Sequence, residues 1–158
     1  GVYAEKIAKE KDTAESWAIA GTTFYLAVSK QKEERIQEYC LDKAKSCLDN
    51  AISLEPENID YKISRAQIEV DHPPQDNPMK GIQLLLELNR NYPDNAAIEL
   101  RLAKLGMRTG QWSKAEERLK KVEAINPTKE VYCLLAEVYS NLENTDQFEQ
   151  YSELCDEE

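Results

Sequence analysis

The 158 residues include 30 Asp and Glu against 20 Lys and Arg, which gives a formal net charge of −10, and 41% of the chain is hydrophobic. This composition is typical of a folded globular domain and excludes an intrinsically disordered chain. The acidic excess excludes nucleic acid as the expected partner, because phosphate binding requires clustered Lys and Arg.

The spacing of apolar residues and helix breakers predicts nine helices. In chain order they cover residues 2–11, 14–29, 33–54, 58–71, 77–91, 95–109, 112–124, 129–141 and 145–155. Glycine (5) and proline (6) are scarce, which favours long helices over a strand-rich fold. No run of 18 apolar residues occurs, so the sequence predicts no membrane-spanning segment. The chain begins without Met in a charged amphipathic stretch, and we interpret residues 1–11 as a helix remnant from a longer chain whose targeting or anchoring segment is missing.

Three prolines close helix-like segments at regular intervals. Pro56, Pro93 and Pro127 are 37 and 34 residues apart. The same offsets relate three further columns: Ala44, Gly81 and Ala115; Leu48, Leu85 and Leu119; and Ala51, Leu88 and Val122. A column of small residues lets two antiparallel helices approach closely, and the large residues fill the groove around it. The sequence therefore predicts repeated helix pairs with a period near 34 residues.

This pattern resembles the tetratricopeptide repeat (TPR) family, whose units carry aromatic and small residues in the first helix and Ala, a large apolar residue, Ala and Pro in the second. The clearest unit runs from Ala96 to Lys129, with Gly110-Gln111-Trp112 at its turn. The stretch Asn77–Ile82 also resembles a segment of bacterial TPR proteins of unassigned role. The resemblance implies an all-α solenoid of antiparallel helix hairpins, a right-handed superhelix with a concave groove.

The resemblance also implies one array over residues 1–158. A remnant helix at 1–11 is followed by repeats at 14–58, 59–95, 96–128 and 129–158. The first repeat has extra residues between Phe24 and Ala44, which we expect to lengthen both of its helices. Asn77 and Pro78 are predicted to be the N-cap and the first residue of the fifth helix. Phe148 stands where the last repeat should have a small residue, so we expect altered packing there.

One stripe of each first helix lines the groove in this family, and transferring those positions identifies candidate peptide-binding residues. They are Thr22, Tyr25, Gln67, Arg101, Lys104, Met107 and Arg108. We expect Tyr25 and Met107 to act as apolar anchors. Arg101, Lys104 and Arg108 form a basic stripe in an acidic protein, which favours an acidic peptide as the ligand. The alternative is that this stripe forms ion pairs with Glu99, Glu137 or Asp94.

Some TPR domains hold the C-terminal carboxylate of chaperones with a Lys and an Asn. Ala18 and Thr22 occupy those places here, so this clamp is not predicted. His72 is the only histidine and lies in a proline-rich loop, without the neighbours that nucleophilic catalysis requires. No grouping has the spacing of a zinc or calcium site. The sequence therefore predicts no enzyme, metal or cofactor.

The four cysteines leave one pairing open. Cys40 and Cys47 are seven residues apart on one helix, about 10 Å along its axis, which is beyond disulfide reach. We expect them to be buried thiols. Cys133 and Cys155 can pair if their helices pack antiparallel, and the sequence does not decide whether they do. The cysteine pattern favours a reducing cytoplasmic compartment, and the sequence does not otherwise identify a compartment.

These observations predict a non-catalytic scaffold that binds a protein or peptide segment in the concave groove. The alternative is a structural element that self-associates, as a homodimer for example, through the open ends of the array. Size measured against concentration separates these two hypotheses.

Overall fold

A computed structural model describes residues 1–156, which form nine α-helices. They are α1 (Val2–Lys11), α2 (Ala14–Val28), α3 (Glu34–Leu54), α4 (Ile59–Asp71), α5 (Lys80–Asn91), α6 (Ala96–Arg108), α7 (Trp112–Ile125), α8 (Lys129–Asn141) and α9 (Thr145–Asp156). The prediction of an all-α helical repeat is confirmed. Apart from the start of α5, every boundary lies within one residue of its predicted position.

The repeat prolines are followed by residues that cap the next helix. Asn58, Asn95 and Thr128 each accept a hydrogen bond from a backbone N–H in the first turn of α4, α6 and α8, at 3.2, 3.1 and 3.4 Å respectively. A side-chain oxygen in this position satisfies a donor that has no partner inside the helix. The same short segment therefore ends one repeat and begins the next.

The predicted start of α5 was wrong. Lys80 N–H donates to the Asn77 carbonyl at 3.1 Å, and Asn77 N–H donates to the Pro74 carbonyl at 3.2 Å. These bonds form two successive turns, so Asn77 and Pro78 precede the helix instead of capping it. The first regular helical bond, from Gln83 N–H to the Met79 carbonyl, forms only after these turns.

The extra residues of the first repeat lengthen both of its helices, α3 much more than α2. Helix α3 has 21 residues against 12–14 in α5, α7 and α9, and α2 has 15 against 13 in α4, α6 and α8. Gln31 N–H donates to the Val28 carbonyl, and the Gln37 side chain donates to the Gln31 carbonyl at 2.8 Å. These bonds close a turn after Val28, which is why α2 gains only two residues while α3 gains most of the insertion.

The chain divides into two compact units, each with its own core. The N-terminal unit comprises Gly1–Leu84, and the C-terminal unit begins at Leu85, within α5. The N-terminal core is built mainly by α2 and α3 and includes Trp17, Phe24, Ala44 and Leu48. The C-terminal core is built mainly by α6, α7 and α8 and includes Ala103, Leu119, Leu135 and Tyr139. In α9, Tyr151 is buried, whereas Phe148 is 39% exposed and is not part of this core.

The cysteines adopt two states. A disulfide joins Cys133 of α8 to Cys155 of α9, with 4.8 Å between the Cα atoms, which resolves the pairing left open by the sequence. Cys40 and Cys47 are buried free thiols, as predicted. Burial raises the pKa of the Cys47 thiol, which keeps it protonated and inert. Because disulfides are typical of oxidising environments, the cysteines no longer favour a reducing compartment.

Candidate functional site

In the N-terminal unit, the structure connects two of the three predicted groove residues. The Tyr25 hydroxyl of α2 donates to Asp71 Oδ2 at 2.5 Å, and the Gln67 side chain of α4 donates to the same oxygen at 2.9 Å. The Tyr25 ring also makes an edge contact with His72, at 6.1 Å between ring centroids. Thr22 is exposed, and its hydroxyl donates to a carbonyl of its own helix. Tyr25 and Gln67 therefore belong to one hydrogen-bonded group at the C-terminal end of α4.

In the C-terminal unit, the basic stripe lies along α6. Arg101 and Arg108 are exposed, and Lys104 pairs with Glu130 of α8, with 2.6 Å between Nζ and Oε1. For Lys104, this pairing follows the alternative interpretation of the stripe. The partner is Glu130, which the sequence did not indicate.

The structure places Met107 in the core of the C-terminal unit, with 8% of its surface exposed. Met107 follows the buried Ala103 by four residues, so both side chains lie on the helix face that packs on α7. An apolar anchor must be accessible to a ligand, and we therefore leave Met107 out of the candidate surface.

Two glutamates are almost completely buried, which the sequence analysis did not predict. Glu69 of α4 is 1% exposed, and its carboxylate lies 2.9 Å from Arg65 Nη1, 3.1 Å from Lys45 Nζ and 3.0 Å from Lys80 Nζ. Burial alone would raise the pKa of this carboxyl group. The hydrogen bonds from the three cations outweigh burial and lower the pKa to about 2.

Glu99 of α6 is also 1% exposed and forms a similar cluster in the C-terminal unit. It accepts a hydrogen bond from Arg118, and Lys121 Nζ lies 3.6 Å away, both from α7. Each glutamate stands between two apolar residues in the sequence, Ile68-Glu69-Val70 and Ile98-Glu99-Leu100. This apolar flanking is the signal that could have identified them. The Glu69 cluster joins α4 to α3 and α5, and the Glu99 cluster joins α6 to α7.

A tyrosine cluster joins the last three helices. The Tyr151 hydroxyl of α9 donates to Glu123 at 2.9 Å and contacts Lys120, and its ring stacks on Tyr139 of α8 at 5.5 Å. The Tyr139 hydroxyl donates to Glu116 of α7 at 2.9 Å. Burial and this hydrogen bond raise the pKa of Tyr139 to about 12, so the phenol stays protonated and acts as a structural donor.

The N-terminal unit has two adjoining surface depressions that share Glu15 and Ile19. One lies between α1 and α2 and is lined by Ala4, Ile7, Lys11, Thr13, Glu15, Ser16 and Ile19. The other lies between α2 and α4 and is lined by Glu15, Ala18, Ile19, Thr22, Thr23 and Tyr61. Ile19 is 56% exposed although it is a large aliphatic residue. The predicted groove residues include Thr22 but not Ile19.

Residues 1–156 contain neither a membrane-spanning helix nor a metal-binding cluster. No helix in that range has the length and apolar run that crossing a membrane requires. The same range contains no cluster of three or more His, Cys, Asp or Glu side chains arranged to hold a metal ion.

Comparison with known protein families gives one consistent match. Two family models described as tetratricopeptide repeat match residues 77–138 and residues 129–157, which together cover just over half of the chain. No curated protein matches the sequence.

Two solved structures titled MamA AMB-1 are similar in fold. The first is 14% identical and aligns over 87% of this chain and 97% of its own, with a TM-score of 0.53. The second is 13% identical and aligns over 90% of this chain and 89% of its own, with a TM-score of 0.56. At this level of identity the likeness establishes a common helical repeat fold, and it does not transfer a ligand or a partner.

Proposed function

We propose that this chain, which belongs to the tetratricopeptide repeat family, is a non-catalytic binding module. Its ligand is an acidic peptide segment, which it binds through the exposed face of α6. Membership of the family supports a role in protein interactions in general terms. The observation that carries the specific proposal is the basic stripe of Arg101, Lys104 and Arg108 in a protein with a net charge of −10. A local excess of positive charge against an acidic background favours a carboxylate-bearing partner.

The ion pair between Lys104 and Glu130 mimics such a contact within the chain. The Lys104 side chain is 41% exposed and that of Glu130 is 57% exposed, so water screens the pair. Exposed ion pairs contribute at most about 1 kcal/mol to stability. A carboxylate from a partner can therefore replace Glu130 at low cost, and Glu130 acts as an internal competitor for Lys104.

Removing the competitor should strengthen binding. We expect Glu130→Gln to raise the affinity for a fluorescein-labelled Asp/Gly peptide about threefold to fivefold, because Lys104 becomes available and one repulsive charge is lost. Fluorescence anisotropy measures the affinity, and the thermal midpoint should change little. The double variant Lys104→Glu/Arg108→Glu should abolish binding of the same peptide.

The matched control is Glu117→Gln. Glu117 is in the same unit, its side chain is 74% exposed, and its substitution removes the same charge. If Glu117→Gln strengthens binding as much as Glu130→Gln does, the gain is a general charge effect and the assignment of the α6 surface is wrong.

Self-association is the second candidate function, and exposed apolar residues on α1 favour it. Val2, Tyr3 and Ile7 are 54%, 83% and 50% exposed on this helix. Apolar side chains grouped on one helix can pack against another copy of the chain. A rise in particle size with concentration, measured by light scattering, would support this function.

A further inference from the structure

The depression between α2 and α4 lies outside the basic stripe and has a different chemistry. We call it the α2–α4 depression, lined by Glu15, Ala18, Ile19, Thr22, Thr23 and Tyr61. Ala18, Ile19, Thr22 and Thr23 are spaced so that they share one face of α2. On the α4 side, the partly buried Tyr61 packs against the N-terminal core.

The two threonines make this surface more apolar than the sequence suggests. The Thr22 hydroxyl donates to the Ala18 carbonyl at 2.9 Å, and the Thr23 hydroxyl donates to the Ile19 carbonyl at 2.7 Å. Both donors are used within α2, so these side chains offer a partner mainly their methyl groups. Together with the exposed side chain of Ile19, they form a surface suited to an aliphatic side chain.

The charge at the edge of this apolar surface is negative. Of the six described residues that line the depression, one is charged, the acidic Glu15. Burial raises the pKa of the Tyr61 phenol, and the negative charges of Glu55, Glu15 and Asp60 raise it further. Glu15 therefore gives the depression a negative charge that attracts a cation, and the direction of the Tyr61 pKa is consistent with a negative local potential.

We propose that the α2–α4 depression binds a partner segment in which an aliphatic side chain stands beside Lys or Arg. The aliphatic group covers Ile19 and the threonine methyl groups, and the cation approaches Glu15. This inference rests on the proposed function as a peptide-binding module, and it adds a second subsite of opposite charge preference to the basic stripe of α6.

The probe is a fluorescein-labelled peptide in which Leu alternates with Lys, titrated at physiological salt. A Gly/Lys peptide of the same charge is the comparison peptide. Wild-type protein should bind the Leu/Lys peptide at least fivefold more tightly than the Gly/Lys peptide. Ile19→Ser should weaken binding of the Leu/Lys peptide about tenfold, since it removes the apolar contact. Glu15→Gln should weaken it about threefold.

Two control variants separate a local effect from a general one. Ile36→Ser removes a partly exposed isoleucine from α3, and Glu10→Gln removes an exposed carboxylate from α1; neither residue lines the depression. Both controls should bind the Leu/Lys peptide as the wild type does. Equal affinity of the wild type for the two basic peptides, or unchanged binding by Ile19→Ser, would overturn the inference.

Two further outcomes identify which proposal has failed. If the wild type self-associates and Ile19→Ser abolishes this, a second copy of the chain occupies the depression and the inference is overturned. The Asp/Gly peptide, titrated with the same proteins, tests the basic stripe separately. Binding of that peptide without any effect of Ile19→Ser on the Leu/Lys peptide leaves the proposed function standing and removes only the second subsite. If neither the Leu/Lys peptide nor the Asp/Gly peptide binds, the proposed function and the second subsite are both overturned.

Discussion

Gly81→Ala is expected to destabilise the protein by about 3 kcal/mol, the upper end of the usual cost of overpacking. A Cβ atom at Gly81 would meet the backbone N of Val70, the backbone carbonyl carbon of Glu69 at 2.6 Å and Val70 Cγ2 at 2.7 Å. Backbone atoms in a helix cannot turn aside as a flexible side chain can. Helices α4 and α5 must therefore move apart around the new methyl group, which outweighs the gain in helix propensity.

Gly106→Ala is the matched control and should have the opposite sign. A Cβ atom there would lie 3.5 Å from Ala115 Cβ and 3.5 Å from the Gln111 carbonyl oxygen, which are ordinary contact distances. Gly106 lies within α6, so alanine should stabilise the protein by about 0.5–1 kcal/mol. Urea denaturation measures both variants. A Gly81→Ala protein as stable as the wild type would show that α4 and α5 are not in such close contact.

Glu69→Gln is expected to lower the free energy of unfolding by about 3 kcal/mol at neutral pH, and this deficit should close in acid. The pKa of Glu69 falls from an ordinary value of 4.5 to about 2 in the folded protein. Such a fall corresponds to about 3 kcal/mol of stability. Because the folded pKa is the lower one, this stability is fully present above pH 4.5 and is lost as the pH falls toward 2.

The measurement is urea denaturation of both proteins at several pH values between 7 and 2. The exposed Glu57 lies in the same unit, and Glu57→Gln should remain within about 0.5 kcal/mol of the wild type at neutral pH. A deficit of Glu69→Gln that stays constant down to pH 2 would contradict the role given to the ionised carboxylate. It would show instead that packing of the side chain, and not its charge, stabilises this position.

Most of the fold could be predicted because its signals are local. The prolines, the capping residues that follow them and the helical spacing of apolar residues lie within a few positions of each boundary. The small-residue column also predicted the close approach of helices, although Gly81 leaves no space for the Cβ atom that Ala44 and Ala115 carry in the same column. The start of α5 was missed because two successive turns compete there with a cap.

Less of the candidate site could be predicted, because its features depend on packing between helices. The basic stripe on α6 follows from the spacing of its residues, but the burial of Met107 depends on which face of α6 packs on α7. The burial of Glu69 depends on Lys45 from α3 and Lys80 from α5, and neither is its neighbour in sequence. A single sequence does not specify which distant cations meet a given carboxylate.

The disulfide between Cys133 and Cys155 attaches α9 to α8 at a second point. The chain already joins the two helices through residues 142–144, and Cys155 lies in the last turn of α9, far from that connection. Helix α9 is thus held at both ends. If it detaches, it stays at high effective concentration near its binding surface, so it should return quickly. Tyr151 then regains its buried position. We therefore expect openings of α9 to be brief and its backbone amides to exchange with solvent slowly for a helix at the end of the described chain.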